Sequence, residues 1–172
     1  MPIFNTEGSM ICKRLGSLAV LLVLLAFPVS ASMVSFLLVE TGLRENAPNN
    51  QFSGLWEGGL MAAFFDAGHI VTNSPIVRME TRPPNDISGA VEKDFSEAIA
   101  GGADFYVLGF MEYQAMGNRL VPVSIALKLY NTASRSLVFE QNFPAGSGRS
   151  NDDEFRLAQN AGRVIISHLE GR

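Results

Sequence analysis

The nine residues Met33 to Thr41, MVSFLLVET, are apolar at both parities of a β-strand. Side chains alternate between the two faces of a sheet, so such a run suits a strand covered on both sides. The rest of the chain supplies the cover. After a loop from Glu45 to Gln51, Ser53 stands as a cap for a helix with Glu57 close behind. Leu55, Trp56, Leu60, Met61, Phe64 and Phe65 then recur at helical spacing to about Ala67, and Gly68 is a stop. Gly58-Gly59 inside this helix costs about 1 kcal/mol per glycine against alanine. Close packing on a sheet, or the approach of a ligand, would explain the pair.

His69 to Asn73 and Ile76 to Met79 read as one strand interrupted near Ser74-Pro75, hence bent or at an edge. Ser88 to Ala100 forms a second helix with Val91, Phe95, Ala98 and Ile99 on one face. Asp104 to Gln114 is a strand rich in aromatics, followed by the turn signal Gly117-Asn118. In Leu120 to Asn131, Val121, Val123, Ile125, Leu127 and Leu129 alternate with Pro122, Ser124, Ala126, Lys128 and Tyr130, the pattern of a half-buried strand. Leu137, Phe139, Gln141 and Phe143 alternate in the strand that pairs back. After the loop Pro144 to Ser150, Asn151 caps a last helix that opens on Asp152-Asp153-Glu154. Its buried stripe is Phe155, Ala158, Ala161, Val164, Ile165, His168 and Leu169. The expected fold is α/β, a single mixed sheet in the order β-α-β-α-β-β-β-α with helices packed on it.

Ahead of this domain stands a different kind of segment. Lys13-Arg14 is a basic pair, Leu15 to Phe27 is apolar, Pro28 breaks it, and Val29-Ser30-Ala31 places small residues where a leader is cut. This is the pattern of a secretory signal peptide, residues 1–31, with Ser32 to Arg172 as one mature domain. Met10, just before the basic pair, is an alternative start to Met1. The competing reading is an inner-membrane anchor over residues 15–39, a stretch free of charge and long enough to span a bilayer. The short apolar core, Pro28 and the serines after it favour cleavage. Cys12 is the only cysteine and precedes the apolar run, so the mature domain has no disulfide and no cysteine-held metal.

A net charge of −4 and an isoelectric point near 5.2 leave no basic footprint for nucleic acid. Candidate chemistry is sparse. Asp66 and His69 have the spacing of two metal ligands, but no second pair completes a site; His69 stands just past a helix-ending glycine and His168 near the last helix's C-terminus, where histidine suits the dipole. There is no G-x-S-x-G elbow, no Walker sequence and no G-x-G-x-x-G; Gly146-Ser147-Gly148 reads as loop. Asp152-Asp153-Glu154 can draw a divalent cation but has a sufficient cause in the helix start. Glu112 and Glu140 can form a carboxylate pair across strands. Trp56, Phe64, Phe65 and the aromatics of 105–113 are core by default, with Phe110 and Tyr113 as candidates for a partner groove. No catalytic, cofactor-binding or metal-binding residue is assigned, and no cofactor is expected.

Four segments together carry a resemblance: the hydrophobic opening strand, the helix ending Phe64-Phe65-Asp66-Ala67-Gly68, the strand Ala103-Asp104-Phe105-Tyr106-Val107-Leu108-Gly109, and the strand ending Leu127-Lys128-Leu129-Tyr130-Asn131. From Val34 to Leu169 the chain resembles a group of bacterial envelope proteins. The group comprises the TolB amino-terminal domain, the curli-secretion lipoprotein CsgG, the penicillin-binding-protein activator LpoB and the flagellar envelope protein FlgO. The resemblance implies an α/β domain related to anticodon-binding domains. It also implies a periplasmic role through protein contacts, that of a non-enzymatic adaptor or assembly factor with an envelope protein as partner. The chain departs from the lipoprotein members in lacking the lipid-attachment cysteine, and it has no insertion to build a pore and no propeller. The alternative is a domain that binds a small molecule or cell-wall fragment beside the strand ends. A third reading, an enzyme, needs clustered polar side chains with shifted pKa values, and convergence of His69, Glu112 and Asp66 in one cleft would favour it.

Overall fold

The computed structural model describes residues 31–43, 51–117, 119–146 and 149–170. Residues 1–30, on which nearly all of the expected signal peptide falls, residues 44–50 of the first loop, Asn118 of the Gly117-Asn118 turn, Ser147-Gly148 and residues 171–172 lie outside the described residues. Nine elements follow in order: β1 (Met33–Thr41), α1 (Gln51–Asp66), β2 (Ile70–Asn73), β3 (Val77–Met79), α2 (Ala90–Ala100), β4 (Phe105–Met116), β5 (Arg119–Asn131), β6 (Ser136–Pro144) and α3 (Asn151–Glu170). The order is the expected one, with the second strand in two pieces.

The strands form one mixed sheet, β2-β1-β4-β5-β6, with β3 also on β1. β2, β3 and β4 run parallel to β1, while β4-β5-β6 is an antiparallel meander. Pro75 lies in the gap between β2 and β3, so the interrupted strand is an edge, as a residue without an N–H requires.

β1 is buried on both sides. Val34, Phe36 and Leu38 enter a core with Trp56, Leu60 and Phe64 of α1 and Ala158, Ala161 and Ile165 of α3. Leu37 and Val39 enter a second core with Val91 and Phe95 of α2 and Tyr106, Leu108 and Phe110 of β4. Thus α1 and α3 cover one face of the sheet and α2 the other. β5 is buried on both faces from Ile125 to Tyr130, not half-buried as its alternation suggests, because α2 and the segment before it reach Ala126, Lys128 and Tyr130.

The Gly58-Gly59 pair is explained by a helix, not by the sheet. A Cβ on Gly59 would stand 2.6 Å from the Ala158 Cβ and 2.7 Å from the Phe155 carbonyl oxygen, and one on Gly162 would stand 2.8 Å from the Ala63 Cβ. α1 and α3 therefore cross on Gly59, Ala63, Ala158 and Gly162, close enough to exclude larger residues.

Several side-chain expectations need correction. Phe65 is 68% exposed, since it lies beyond the stripe that meets α3 and β1. Val164 and Ile99 are also outside their helices' buried stripes, at 38% and 36%, and His168 is exposed as well. The cap of α3 is Ser150, whose hydroxyl oxygen accepts the Asp153 N–H at 3.2 Å, and not Asn151. Leu137 falls out of phase because a bulge at Leu129/Tyr130 places Phe139 opposite Leu129 but Leu137 opposite Tyr130, leaving Val138 as the extra residue.

Candidate cleft and sheet edge

Two buried carboxylates, Glu40 and Glu154, organise hydrogen-bonded networks. On the α1 face, Glu40 follows Val34, Phe36 and Leu38 in phase and is buried. Arg78, its register partner on β3, meets its carboxylate at 2.7 Å. Ser53 donates to the other oxygen and lies 2.9 Å from the Tyr113 hydroxyl. Ser53 is therefore not a cap: α1 begins two residues earlier, and its hydroxyl serves Glu40 instead. Burial and the neighbouring Glu40 carboxylate push the Tyr113 phenol well above its ordinary value, although the Ser53 hydrogen bond opposes them.

A second network ties α3 to α1. The Glu154 carboxylate accepts Trp56 Nε1–H at 2.9 Å, the Gly146 N–H at 2.8 Å and Arg149 at 3.0 Å. Glu154 is fully buried, whereas Asp152 and Asp153 are exposed. Asp153 is held below the usual carboxylate range by hydrogen bonds from Ser150. The acidic run is thus divided between helix start and core, and it does not gather on one side as cation ligands would.

The α2 face is covered only in part. α2 has 11 residues and reaches Tyr106 and Tyr130. Beyond it, the segment Glu80-Thr81-Arg82 walls a cleft of about 670 Å³ whose floor is the sheet. The floor is set by register. Phe110 lies opposite Ala126, and Ala126 opposite Asn142; Glu112 lies opposite Ser124, and Ser124 opposite Pro144. Thr41 and Gly42, at the carboxyl end of β1, complete the lining with Tyr113. Arg82 lies over the Phe110 ring at 4.4 Å.

Charges along the wall neutralise one another in sequence. Arg82 holds Asp86 at 2.8 Å, Asp86 holds Lys128 at 2.6 Å, and Lys128 holds Glu140 at 2.8 Å. For Asp86, burial favours the neutral form, but Lys128 and Arg82 outweigh it and its pKa falls. For Lys128, burial is likewise outweighed by Asp86 and Glu140, and its pKa rises. Glu112 and Glu140 share this face but do not pair: Glu140 is bound by Lys128, and among the described residues Glu112 accepts from Ser124 alone, at 3.4 Å.

The other candidates are dispersed. His69 precedes β2 at the end of the sheet where Ile70 pairs with Met33, while Glu112 pairs with Thr41 at the far end. Eight residues of strand, about 26 Å, separate these levels. Asp66 is exposed, and both His69 nitrogens are buried without a partner beside the Phe64 ring. His69, Asp66 and Glu112 do not converge. Phe110 and Tyr113 are both core, though each also borders the cleft. Among the described residues no three His, Cys, Asp or Glu side chains cluster as metal ligands, and no helix is long and apolar enough to cross a membrane.

The two sheet edges differ. The β2/β3 edge is broken into four and three residues, whereas β6 runs for nine and, among the described residues, pairs only with β5. The Ala145 N–H donates to the Val123 carbonyl at 3.2 Å. Carrying that antiparallel phase back along the register makes Phe143, Gln141 and Phe139 the residues bonded to β5. The backbone N–H and C=O of Asn142 and Glu140 therefore point away from the sheet.

No family model matches the chain, and no curated protein does. Solved structures do. The chain is similar to the PelC dodecamer subunit from Paraburkholderia phytofirmans, at 13% identity over 83% of this chain and 89% of that one, with a TM-score of 0.48. It is also similar to TolB from Acinetobacter baumannii, at 12% identity over 83% of this chain but 28% of that one, with a TM-score of 0.38. The LpoB C-terminal domain from Escherichia coli is matched at 18% identity over 75% and 93% of the two chains, with a TM-score of 0.39. TolB and LpoB, both named in the sequence resemblance, are thus among the structures this chain is similar to.

Proposed function

We propose that this chain is a non-enzymatic exported protein of the bacterial envelope, an adaptor or assembly factor that takes a protein partner along the free edge of β6. The edge carries the reading. A long edge strand presents unpaired backbone groups that pair with any chain of matching shape, and proteins normally blunt it. The opposite edge is blunted by Pro75 and its short strands; β6 has no proline before its last residue. Addition of a partner strand is an established mode of recognition, with backbone bonds for affinity and alternate side chains for specificity. The leader pattern of residues 1–31 supports export to the periplasm with Ser32 as the mature start. The networks around Glu40 and Glu154 use their charged and polar groups for cohesion, which supports binding without turnover.

The test is in-cell photo-crosslinking of the full chain, with a photoreactive residue at Leu137 on β6 and, as control, at Ile70 on the opposite edge. Both side chains are exposed. The expected result is one dominant envelope protein captured at Leu137, not at Ile70, and lost on Asn142→Pro. That substitution removes an outward N–H while sparing the bonds to β5. Capture that ignores Asn142→Pro, or no protein above background, would refute the reading.

A second reading, a site for a small molecule or cell-wall fragment, is favoured by the cleft volume, which lies in the range of ligand pockets. Its lining is polar and charged where such pockets are mostly apolar. A rise in Tm with cell-wall fragments would support it.

A further inference from the structure

The free edge carries a single charge. From Ser136 to Pro144 the one ionisable side chain of β6 is Glu140, whose backbone N–H and C=O point away from the sheet. Glu140 also ends a ladder of ion pairs. Asp86 is held by two cations, Arg82 and Lys128, whereas Glu140 shares Lys128 with Asp86 and, among the described residues, meets no other cation. The alternation of cation and anion thus crosses the α2 face of the sheet and stops at its edge on a partly exposed anion. In a strand added beside β6, the side chain next to Glu140 on this face would have its Cβ about 5 Å away. A cation there reaches the carboxylate directly and continues the ladder, whereas an acid there is repelled.

The other face of the same edge is apolar. α3 runs back along β6, because Glu154 at its start accepts from Gly146 and the His168 ring near its end lies 4.5 Å from the Phe139 ring. Ala158 and Gly162 face α1. Val164, one turn before His168, therefore lies on the side of α3 turned away from α1 and toward the β6 edge. Val164 is exposed and Phe139 half-buried, so the two leave an apolar shelf uncovered at the end of the sheet. An added strand extends the sheet by about 4.8 Å, and its side chains on this face would lie against Phe139 and Val164.

We propose that the segment received at the β6 edge is a strand of another protein with two unlike faces, a lysine or arginine beside Glu140 and apolar side chains at the alternate positions against Phe139 and Val164. The inference rests on the adaptor reading and adds the chemistry of the partner to it. A second copy of this chain offering its own β6 does not fit, since that strand holds no cation. The apolar face supplies affinity. The ion pair is exposed and adds little of it; its part is to fix the register of the added strand and to reject segments with an acid at that position.

The test uses the full chain with the Leu137 photo-crosslinker in cells. Glu140→Gln should lower the adduct yield about threefold. Glu140→Lys should lower it about tenfold or more, because it sets like charges side by side. Val164→Asp, which leaves the ion-pair ladder untouched, should lower it about fivefold. The sole tryptophan, Trp56, reports by its fluorescence that each variant is folded, and Val164→Asp with Glu140→Gln decides the matter if Glu140→Lys is not. Sequencing of the crosslinked peptide should show a lysine or arginine with apolar residues on both sides of it, and changing that residue to glutamate should restore the adduct with Glu140→Lys. Yields unchanged by these variants, a captured segment with no basic residue, or an adduct joining two copies of this chain through β6 would overturn the inference. In the first two cases an adduct lost on Asn142→Pro would leave the adaptor reading standing. If the parent chain gives no such adduct, the adaptor reading itself fails and the inference with it.

Discussion

Adjacent glycines in α1 should respond to the same substitution with opposite signs. An alanine at either position gains helix propensity worth about 1 kcal/mol. At Gly58 the added methyl would lie 3.5 Å from the Phe155 ring, an ordinary contact, so the gain should be kept. At Gly59 it would lie 2.6 Å from the Ala158 Cβ and 2.7 Å from the Phe155 carbonyl oxygen. Both obstacles sit on or next to the α3 backbone and cannot rotate aside, so the helices must separate. Overpacking of this kind costs about 1–3 kcal/mol. Gly58→Ala should therefore stabilise by roughly 0.5–1 kcal/mol and Gly59→Ala should destabilise by up to roughly 2 kcal/mol. The assay is urea denaturation followed by Trp56 fluorescence, since Trp56 is buried between the two helices and is the only tryptophan. A Gly59→Ala protein as stable as Gly58→Ala would refute the close crossing of α1 and α3.

Two further outcomes follow from the polar networks. Glu154→Ala strands the Trp56 N–H and the Gly146 N–H in the core and should cost about 3 kcal/mol, with Glu154→Gln costing less, as read from the same denaturation curves. For Asp86 the folded pKa lies below 3.8, so its contribution is complete above that value and lost as the pH falls through the folded pKa; for Lys128 the folded pKa lies above 10.5, so its contribution is complete below 10.5 and lost as the pH rises. The stability difference between the parent and Asp86→Asn should therefore be flat from about pH 5 to pH 10 and shrink in more acid solution, and a difference constant down to pH 2 would contradict the ion-pair chain.

Much of the fold is legible because it follows from local rules. The two-faced run in β1 demanded cover on both sides, and the sheet order delivers it. Pro75 marked an edge, and the edge is there. The failures at Glu154, Ser53 and Leu137 share a cause, dependence on partners elsewhere in the chain, whereas the cap of α3 was misplaced by one residue between two capable neighbours, Ser150 and Asn151. Glu154 in a first helical turn reads as a dipole partner; that it turns inward depends on Trp56, 98 residues earlier. Ser53 reads as a cap because Glu40 is invisible from inside the helix. Yet Glu40 itself carried a signal, for it continues the inward phase of Val34, Phe36 and Leu38, and a carboxylate in that phase needs a buried partner. The bulge that throws Leu137 out of phase leaves no mark in the alternation of β6.

The placement of the candidate site follows from how unequally the two faces are closed. On the α1/α3 face, small residues draw two helices together over the sheet, and Glu40 and Glu154 beneath them are each held by several partners. On the opposite face a single short helix covers the amino-terminal half of β4 and stops. The sheet continues past it, through Glu112, Ser124 and Asn142, to an edge with unpaired backbone groups. Those side chains are partly or fully solvent-exposed polar groups on a rigid floor, which costs the fold nothing and leaves their chemistry free for another molecule. Polar groups placed there are separated from the cores that hold the protein together, so that a variant such as Glu112→Gln should leave the urea denaturation midpoint unchanged.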